Sequence, residues 1–152
     1  MGDERHDRPA GIGDATVEAV GKATEALEWV ERARGDLYDF HQKMGHADAL
    51  FGEAADALEE AGHQQEADDL RTRIVGRNAI DGRWSFQIVE EFDDLYWSAA
   101  RDQERQVRDA LVAGRRHVFE SEMKDDRRSA GRAHHERRPA GGHDPDVTSL
   151  DG

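Results

Sequence analysis

The chain has no cysteine among its 152 residues, so disulfide bonds, thiolate metal sites and thiol catalysis are excluded. It also has no apolar run close to the roughly 18 residues that a membrane-spanning helix requires. Its first ten residues are polar, unlike the apolar core of a signal peptide. From these absences we expect a soluble protein of the cytoplasm.

Proline is nearly as scarce, because the 129 residues between Pro9 and Pro139 contain none. A proline inside a helix costs about 3 kcal/mol, so its absence leaves long helices possible. Apolar residues three and four apart recur through this stretch. The pattern predicts an all-α, single-domain, mainly antiparallel bundle of four or five helices over 14–128. Polar, glycine- and proline-containing tails at 1–13 and 129–152 are predicted to be disordered.

Glycines divide the helical pattern into segments. The first helix is predicted to begin with Asp14 as N-cap and to stop at Gly45, which suits the left-handed position after a helix. A second, alanine-rich helix is predicted to end at Gly62, and a third begins almost at once. Gly114 falls inside the apolar stripe of the last helix and predicts a close backbone contact there.

The segment after the Asp81-Gly82 turn dipeptide is ambiguous. Residues 84–88 alternate between apolar and polar, which is typical of a strand and allows a short hairpin. We prefer a helix that begins with Ser85 as N-cap, because Trp84 and Val89 then stand at the positions of a hydrophobic staple. Ser98 either caps a further helix or marks a bend in a continuous one.

The net charge of −13 disfavours contact with nucleic acid and with anionic membranes. The exception is a basic segment, residues 127–138, which carries five arginines and two histidines against Glu136. It has no aromatic residue for base stacking. We expect the segment to fold back on the acidic body or to stay solvated, with weak nucleic-acid binding as an alternative.

A carboxylate and histidine metal site is the sharpest chemical hypothesis. Helical bundles of the ferritin-like class bind two metals through inward glutamates and Glu-x-x-His pairs. Glu60 and His63 match that spacing, but Gly62 lies between them and no second copy exists. Ligands of this kind suit iron, manganese or zinc. The candidate ligands are His41, Glu53, Glu90, Asp93, His117 and Glu120. The competing interpretation, which we favour, is a set of solvated acidic faces with no cofactor.

Arg34 and His41 lie on the apolar side of the first helix, seven residues apart. Seven residues make two helical turns, so both side chains should face one neighbouring element. We expect a half-buried polar pair in which Arg34 meets a carboxylate such as Glu53 or Glu90. A polar pocket for an anionic ligand is the alternative.

Five of the ten aromatic residues lie between Trp84 and Trp97. They cannot all face one way on a helix, so we expect Trp84 or Trp97 to be exposed together with Trp29 and Tyr38. Exposed aromatic residues among charges are typical of protein–protein contacts.

The sequence contains no glycine-rich phosphate loop, no G-x-S-x-G and no H-E-x-x-H motif. We therefore interpret the chain as a non-enzymatic interaction or scaffold protein that contacts a protein partner. A homodimer is one possibility, because narrow alanine-rich stripes leave surface that a second copy would cover.

Overall fold

The computed structural model describes residues 4–137, and five α-helices dominate them. Within this range there is no strand, and the isolated bridge between Ile80 and Arg83 is the nearest feature to one. The all-α prediction is confirmed. No helix of the described residues is both long and apolar enough to cross a membrane. The helices are α1 (Asp14–Glu60), α2 (Gln64–Arg73), α3 (Ser85–Phe92), α4 (Ser98–Val112) and α5 (Val118–Arg127).

Helix α1 runs without interruption for 47 residues, so the predicted stop at Gly45 is wrong. A glycine costs a helix interior about 1 kcal/mol, which the good helix formers on both sides offset. The apolar spacing of three and four residues also continues across Gly45, from Met44 to Ala47 and Phe51. The stop predicted at Gly62 is correct, since its backbone turns left-handed with φ of 89°.

Helix α3 confirms the helical alternative over the hairpin, although its cap differs from the prediction. Trp84 is the N-cap residue, with an extended backbone, and its N–H donates to the side-chain oxygen of Gln87 at 3.0 Å. Ser85 is therefore the first residue inside the helix. Its hydroxyl, which has no capping role, is free to contact His41 of α1.

The helical backbone continues from α3 into α4 through one π-helical segment, Asp93–Trp97. Phe92, Asp93 and Ser98 all keep right-handed helical angles. Ser98 donates its hydroxyl hydrogen to the carbonyl oxygen of Asp93 inside this segment. The helix is continuous at Ser98, which was one of the two alternatives for this residue. Its irregularity is the wider π turn just before Ser98.

The predicted last helix is broken between α4 and α5. Ala113, Gly114 and His117 all have positive φ, of 54°, 72° and 56°. Gly114 thus ends a helix, and the prediction that it lies within one is wrong. A Cβ added at Gly114 would meet the carboxylate of Asp109 at 2.8 Å, so the side chains of α4 crowd this turn.

The described chain forms two compact units. The second unit is Ala26–Asp102, and the first consists of the residues before and after it. Helices α1 and α4 contribute to both units. The prediction of one bundle over 14–128 therefore stays a prediction.

The first unit buries a small valine core. Val17 and Val20 of α1, Val112 of α4 and Val118 of α5 are nearly inaccessible to solvent. At Gly21 the backbone of α1 comes so near to Phe119 that an added Cβ would lie 3.1 Å from the Cβ of that residue. A small residue is therefore used where α1 approaches α5.

Polar contacts attach the segment before α1 to the rest of the first unit. Arg8 donates to both carboxylate oxygens of Glu122 at 2.8 and 2.9 Å, and to Asp14 at 2.6 Å. These charges raise the pKa of Arg8, chiefly through the hydrogen bonds to Glu122. We predicted that residues 1–13 are disordered and did not predict these contacts. Of the predicted C-terminal tail, residues 138–152 lie outside the described range.

Candidate functional site

The second unit leaves most of its large apolar side chains in contact with solvent. Its buried apolar residues are small: Ala55, Ala67 and Val89. A unit of this kind has an apolar surface that its own helices do not cover. The large side chains exposed by 37% or more are Trp29, Tyr38, Phe40, Met44, Leu50, Phe51, Ile74, Ile80, Trp84, Phe86, Leu95 and Tyr96.

An apolar groove of about 750 Å³ lies on this surface. Helix α1 contributes Met44 and Phe51 to its lining, and the segment after α2 contributes Ile74. Trp84 and Phe86 also line it, with ring centroids 5.3 Å apart, and the polar side chains of Asp48, Arg77 and Asn78 lie at the groove as well. The groove thus offers aromatic and aliphatic surface of the kind that protein interfaces bury at their centre.

Residues spaced by seven along α1 contact other elements of the same unit, and one of them, Asp48, also lines the groove. Arg34 donates to both carboxylate oxygens of Asp93 at 2.7 and 3.1 Å, and the Nδ1 of His41 lies 2.7 Å from the hydroxyl oxygen of Ser85. One heptad further on, Asp48 accepts a hydrogen bond from the backbone N–H of Gly76 at 2.7 Å. Helix α1 therefore has one face directed to its own unit and another left exposed.

The Arg34 and His41 pair faces the segment that begins α3 and ends in the π turn. Its carboxylate partner is Asp93, so the suggestion of Glu53 or Glu90 is wrong. Which acid faces α1 depends on the rotation of α3 about its axis, which local spacing does not determine. Arg34 lowers the pKa of Asp93, chiefly through the hydrogen bond between them, and Asp93 raises the pKa of Arg34.

Trp97 lies beside this ion pair. The guanidinium carbon of Arg34 is 4.0 Å from the centre of a Trp97 ring, and that of Arg101 is 4.5 Å away. The indole N–H donates to Glu31 at 2.9 Å. Cations against an aromatic ring stabilise it by about 1 kcal/mol each. Trp97 is thus half-buried and held by polar contacts with its own unit.

The other three aromatic residues predicted for partner contact remain available to solvent. Trp29 is 60% exposed, Trp84 56% and Tyr38 37%. Arg32 lies over the ring of Trp29 at 4.4 Å, which still leaves most of the indole accessible. The interaction hypothesis therefore concerns Trp29 and Trp84 more than Trp97.

The six candidate metal ligands do not gather within either unit. Among the described residues of each unit, no three carboxylate or imidazole groups approach closely enough to share an ion. Asp93 is paired with Arg34 and His41 with Ser85, while Glu53 and Glu90 are exposed. In the first unit, His117 and Glu120 are 4.0 Å apart, at the start of α5.

The basic segment pairs with an acid of its own neighbourhood. Asp125 of α5 accepts from Arg128 and lies 3.4 Å from Arg137. These cations, with Arg128 first, lower the pKa of Asp125. Within the described residues, two of the arginines that could contact phosphates, Arg128 and Arg137, are thus paired with Asp125.

A buried polar cluster in the first unit was missed by sequence reasoning. Glu104 is only 8% exposed, accepts from Thr24 at 3.1 Å and pairs with Arg108 at 2.8 Å. Arg108 also donates to the carbonyl oxygen of Gly114 at 2.9 Å, where the chain turns out of α4. The only sequence signal was the Glu–Arg spacing of four, which is common on exposed helices.

Comparison of the chain with family models, curated proteins and solved structures finds no match.

Proposed function

We propose that this protein is a non-enzymatic helical interaction or scaffold protein of the cytoplasm, and that its first partner is a second copy of itself. The observation that carries the proposal is the imbalance in the second unit. Twelve large apolar side chains are at least 37% exposed, whereas its buried apolar residues are two alanines and a valine.

The free energy available from burying these exposed apolar side chains favours association. Full burial of a large apolar side chain is worth about 1.5–3 kcal/mol, so a half-exposed one retains on the order of 1 kcal/mol. Several such side chains buried together can exceed the cost of lost rotation and translation, which is about 4–15 kcal/mol. The groove beside Trp84 brings five of them to one place.

The polar groups near this surface support binding more than catalysis. Asp93 and His41 are each held by a side chain of the same unit, at Arg34 and Ser85. A histidine that activates a serine is itself oriented by a third group, and among the described residues the ring nitrogens of His41 contact only the Ser85 hydroxyl. The acidic surface, with a net charge of −13, suits solubility in a crowded cytoplasm.

Light scattering from about 1 to 100 µM tests the proposal. We expect the mass to rise with concentration from that of one chain to that of two, because apolar association obeys mass action. Leu50→Gln, at a 50% exposed site, should shift this rise to higher concentration. Lys22→Gln, on an exposed part of α1 in the first unit, is the matched control. A single-chain mass throughout the range would remove the proposal.

A further inference from the structure

Helix α1 carries a heptad repeat that becomes visible once the helix is known to be continuous. From Ala26 to Leu58, every third and fourth residue in alternation is apolar, without exception. Such a 3.5-residue repeat, sustained over more than four heptads, is typical of a coiled-coil seam. The a positions are Val30, Leu37, Met44, Phe51 and Leu58, and the d positions are Ala26, Ala33, Phe40, Ala47 and Ala54.

Six of the ten seam residues are exposed in the single chain, and the other four are half-buried. Phe40 and Met44 are each 37% exposed and Phe51 42%, although seam residues of a paired coiled coil are buried. The neighbouring e positions include Arg34, His41 and Asp48, which bind the chain's own second unit. The chain itself thus covers one flank of the seam and leaves the seam for another helix.

We propose that a second copy of the chain pairs its α1 with this seam in antiparallel orientation. This inference rests on the proposed function, because it specifies the geometry of self-association. The a positions are large, and all d positions except Phe40 are alanine. In a parallel pair a meets a and d meets d, which gives alternating crowded and empty layers. In an antiparallel pair a meets d, so the large a residues face alanines in every layer except the one that contains Phe40, and most layers fill evenly.

The flanking g positions select one register. When Leu37 packs against Phe40 of the second copy, Asp36 lies beside Lys43 of that copy. By two-fold symmetry, Lys43 then lies beside Asp36 of the second copy. Both side chains are exposed, and neither has an ion-pair partner among residues 4–137. A shift by one heptad in either direction instead brings Lys43 against Lys43 or Asp36 against Asp36. Opposite charges therefore favour the first register over both neighbours.

The same register also brings apolar residues together at two further g positions and beside the groove. Trp29 and Leu50, exposed by 60% and 50%, occupy further g positions and come together across the two copies. Met44 and Phe51, which line the groove, face Ala33 and Ala26 of the second copy. Alanine at these two positions lets the second helix pack closely on Met44 and Phe51.

The absence of cysteine allows a direct test by disulfide cross-linking of the full chain. Two variants, Asp36→Cys and Lys43→Cys, are prepared separately and then mixed in equal amounts under mild oxidation. We expect the mixture to form a species of twice the chain mass on a non-reducing gel. Each variant alone should form little of it, because like positions are offset by seven residues, roughly 10 Å along the helix.

A charge exchange gives a second measurement that needs no covalent bond. Lys43→Asp should weaken association about fivefold, since two exposed ion pairs become two like-charge contacts. Adding Asp36→Lys to the same chain should restore it. Circular dichroism of each variant at equal concentration verifies that the helices are retained.

Two results would overturn the inference in distinguishable ways. A dimer by light scattering whose mixed cysteine variants fail to cross-link, or cross-link no better than either variant alone, refutes this register and leaves self-association standing. A wild-type chain that stays monomeric refutes self-association and the register together. Cross-linking of the mixture alone, with rescue by the charge exchange, supports the antiparallel pair.

Discussion

Replacing Gly45 by alanine tests whether α1 is one helix or two. Gly45 lies near the middle of Ala26–Glu60, and its φ is not among the positive values that six other glycines adopt. Nothing lies within 4 Å of the position that a Cβ would occupy. The substitution therefore adds a methyl group to open space and changes only the conformational freedom of the backbone.

The expected magnitude can be worked out from that geometry. Alanine is favoured over glycine in a helix interior by about 1 kcal/mol, mainly because glycine loses more backbone entropy on folding. With no steric term to subtract, Gly45→Ala should raise the free energy of unfolding by about 0.5–1 kcal/mol. For a chain of this length, that corresponds to a rise in melting temperature of about 1–4 °C.

Urea unfolding at fixed protein concentration, monitored by circular dichroism, measures the change. Gly62→Ala is the matched control, because its site is equally open but its φ is 89°. A left-handed backbone costs an alanine roughly 1–2 kcal/mol, so this variant should lose stability. If Gly45→Ala also loses about 1 kcal/mol, the chain turns at Gly45, and both the continuous helix and its heptad seam are refuted.

Three further substitutions probe the polar contacts. Asp93→Asn should lower the free energy of unfolding at pH 7, because it removes the carboxylate that Arg34 binds. Arg34 lowers the pKa of Asp93, so the extra stability of the wild-type protein is present above the ordinary carboxyl pKa of about 4 and is lost on acidification. Urea titrations at pH 7 and pH 3 check this, and an advantage that grows at pH 3 contradicts it. Arg8→Ala should make the segment before α1 more susceptible to limited proteolysis, and an unchanged cleavage rate would contradict this. Glu104→Ala leaves Arg108 half-buried without its carboxylate and should cost about 3 kcal/mol in thermal or urea unfolding, whereas a loss below 1 kcal/mol would show that water replaces the contact.

Helical content was predictable from the sequence because it depends on local spacing and on the absence of proline. The preference for a helix at Ser85 over a hairpin was confirmed for the same reason, since Val89 and Phe92 continue the helical spacing. The partner of Arg34 was not predictable in this way. Glu90 and Asp93 stand one turn apart, and only the packing of α3 against α1 determines which of them meets the guanidinium.

The break after Val112 shows a second limit of local reasoning. Three features produce it: Ala113 and Gly114 turn left-handed, and Arg108 binds the carbonyl oxygen of Gly114 from within α4. A left-handed alanine has no sequence signal, because most alanines favour helices. Arg108 also pairs with the buried Glu104, so the contact that holds this turn is part of the packing of the first unit.

The two glycines predicted to stop helices differ in the residues on their C-terminal side, and that difference explains the seam. Across Gly45 the a and d positions stay apolar, from Phe40 and Met44 to Ala47 and Phe51. Beyond Gly62 the same positions become polar, beginning with Gln65. A helix continues through a glycine when its apolar face still has a surface to bury, and it ends where that face ends. Because six of the ten seam residues over Ala26–Leu58 are exposed in the single chain, the continuity of the seam across Gly45 supports the proposed second helix packed against it.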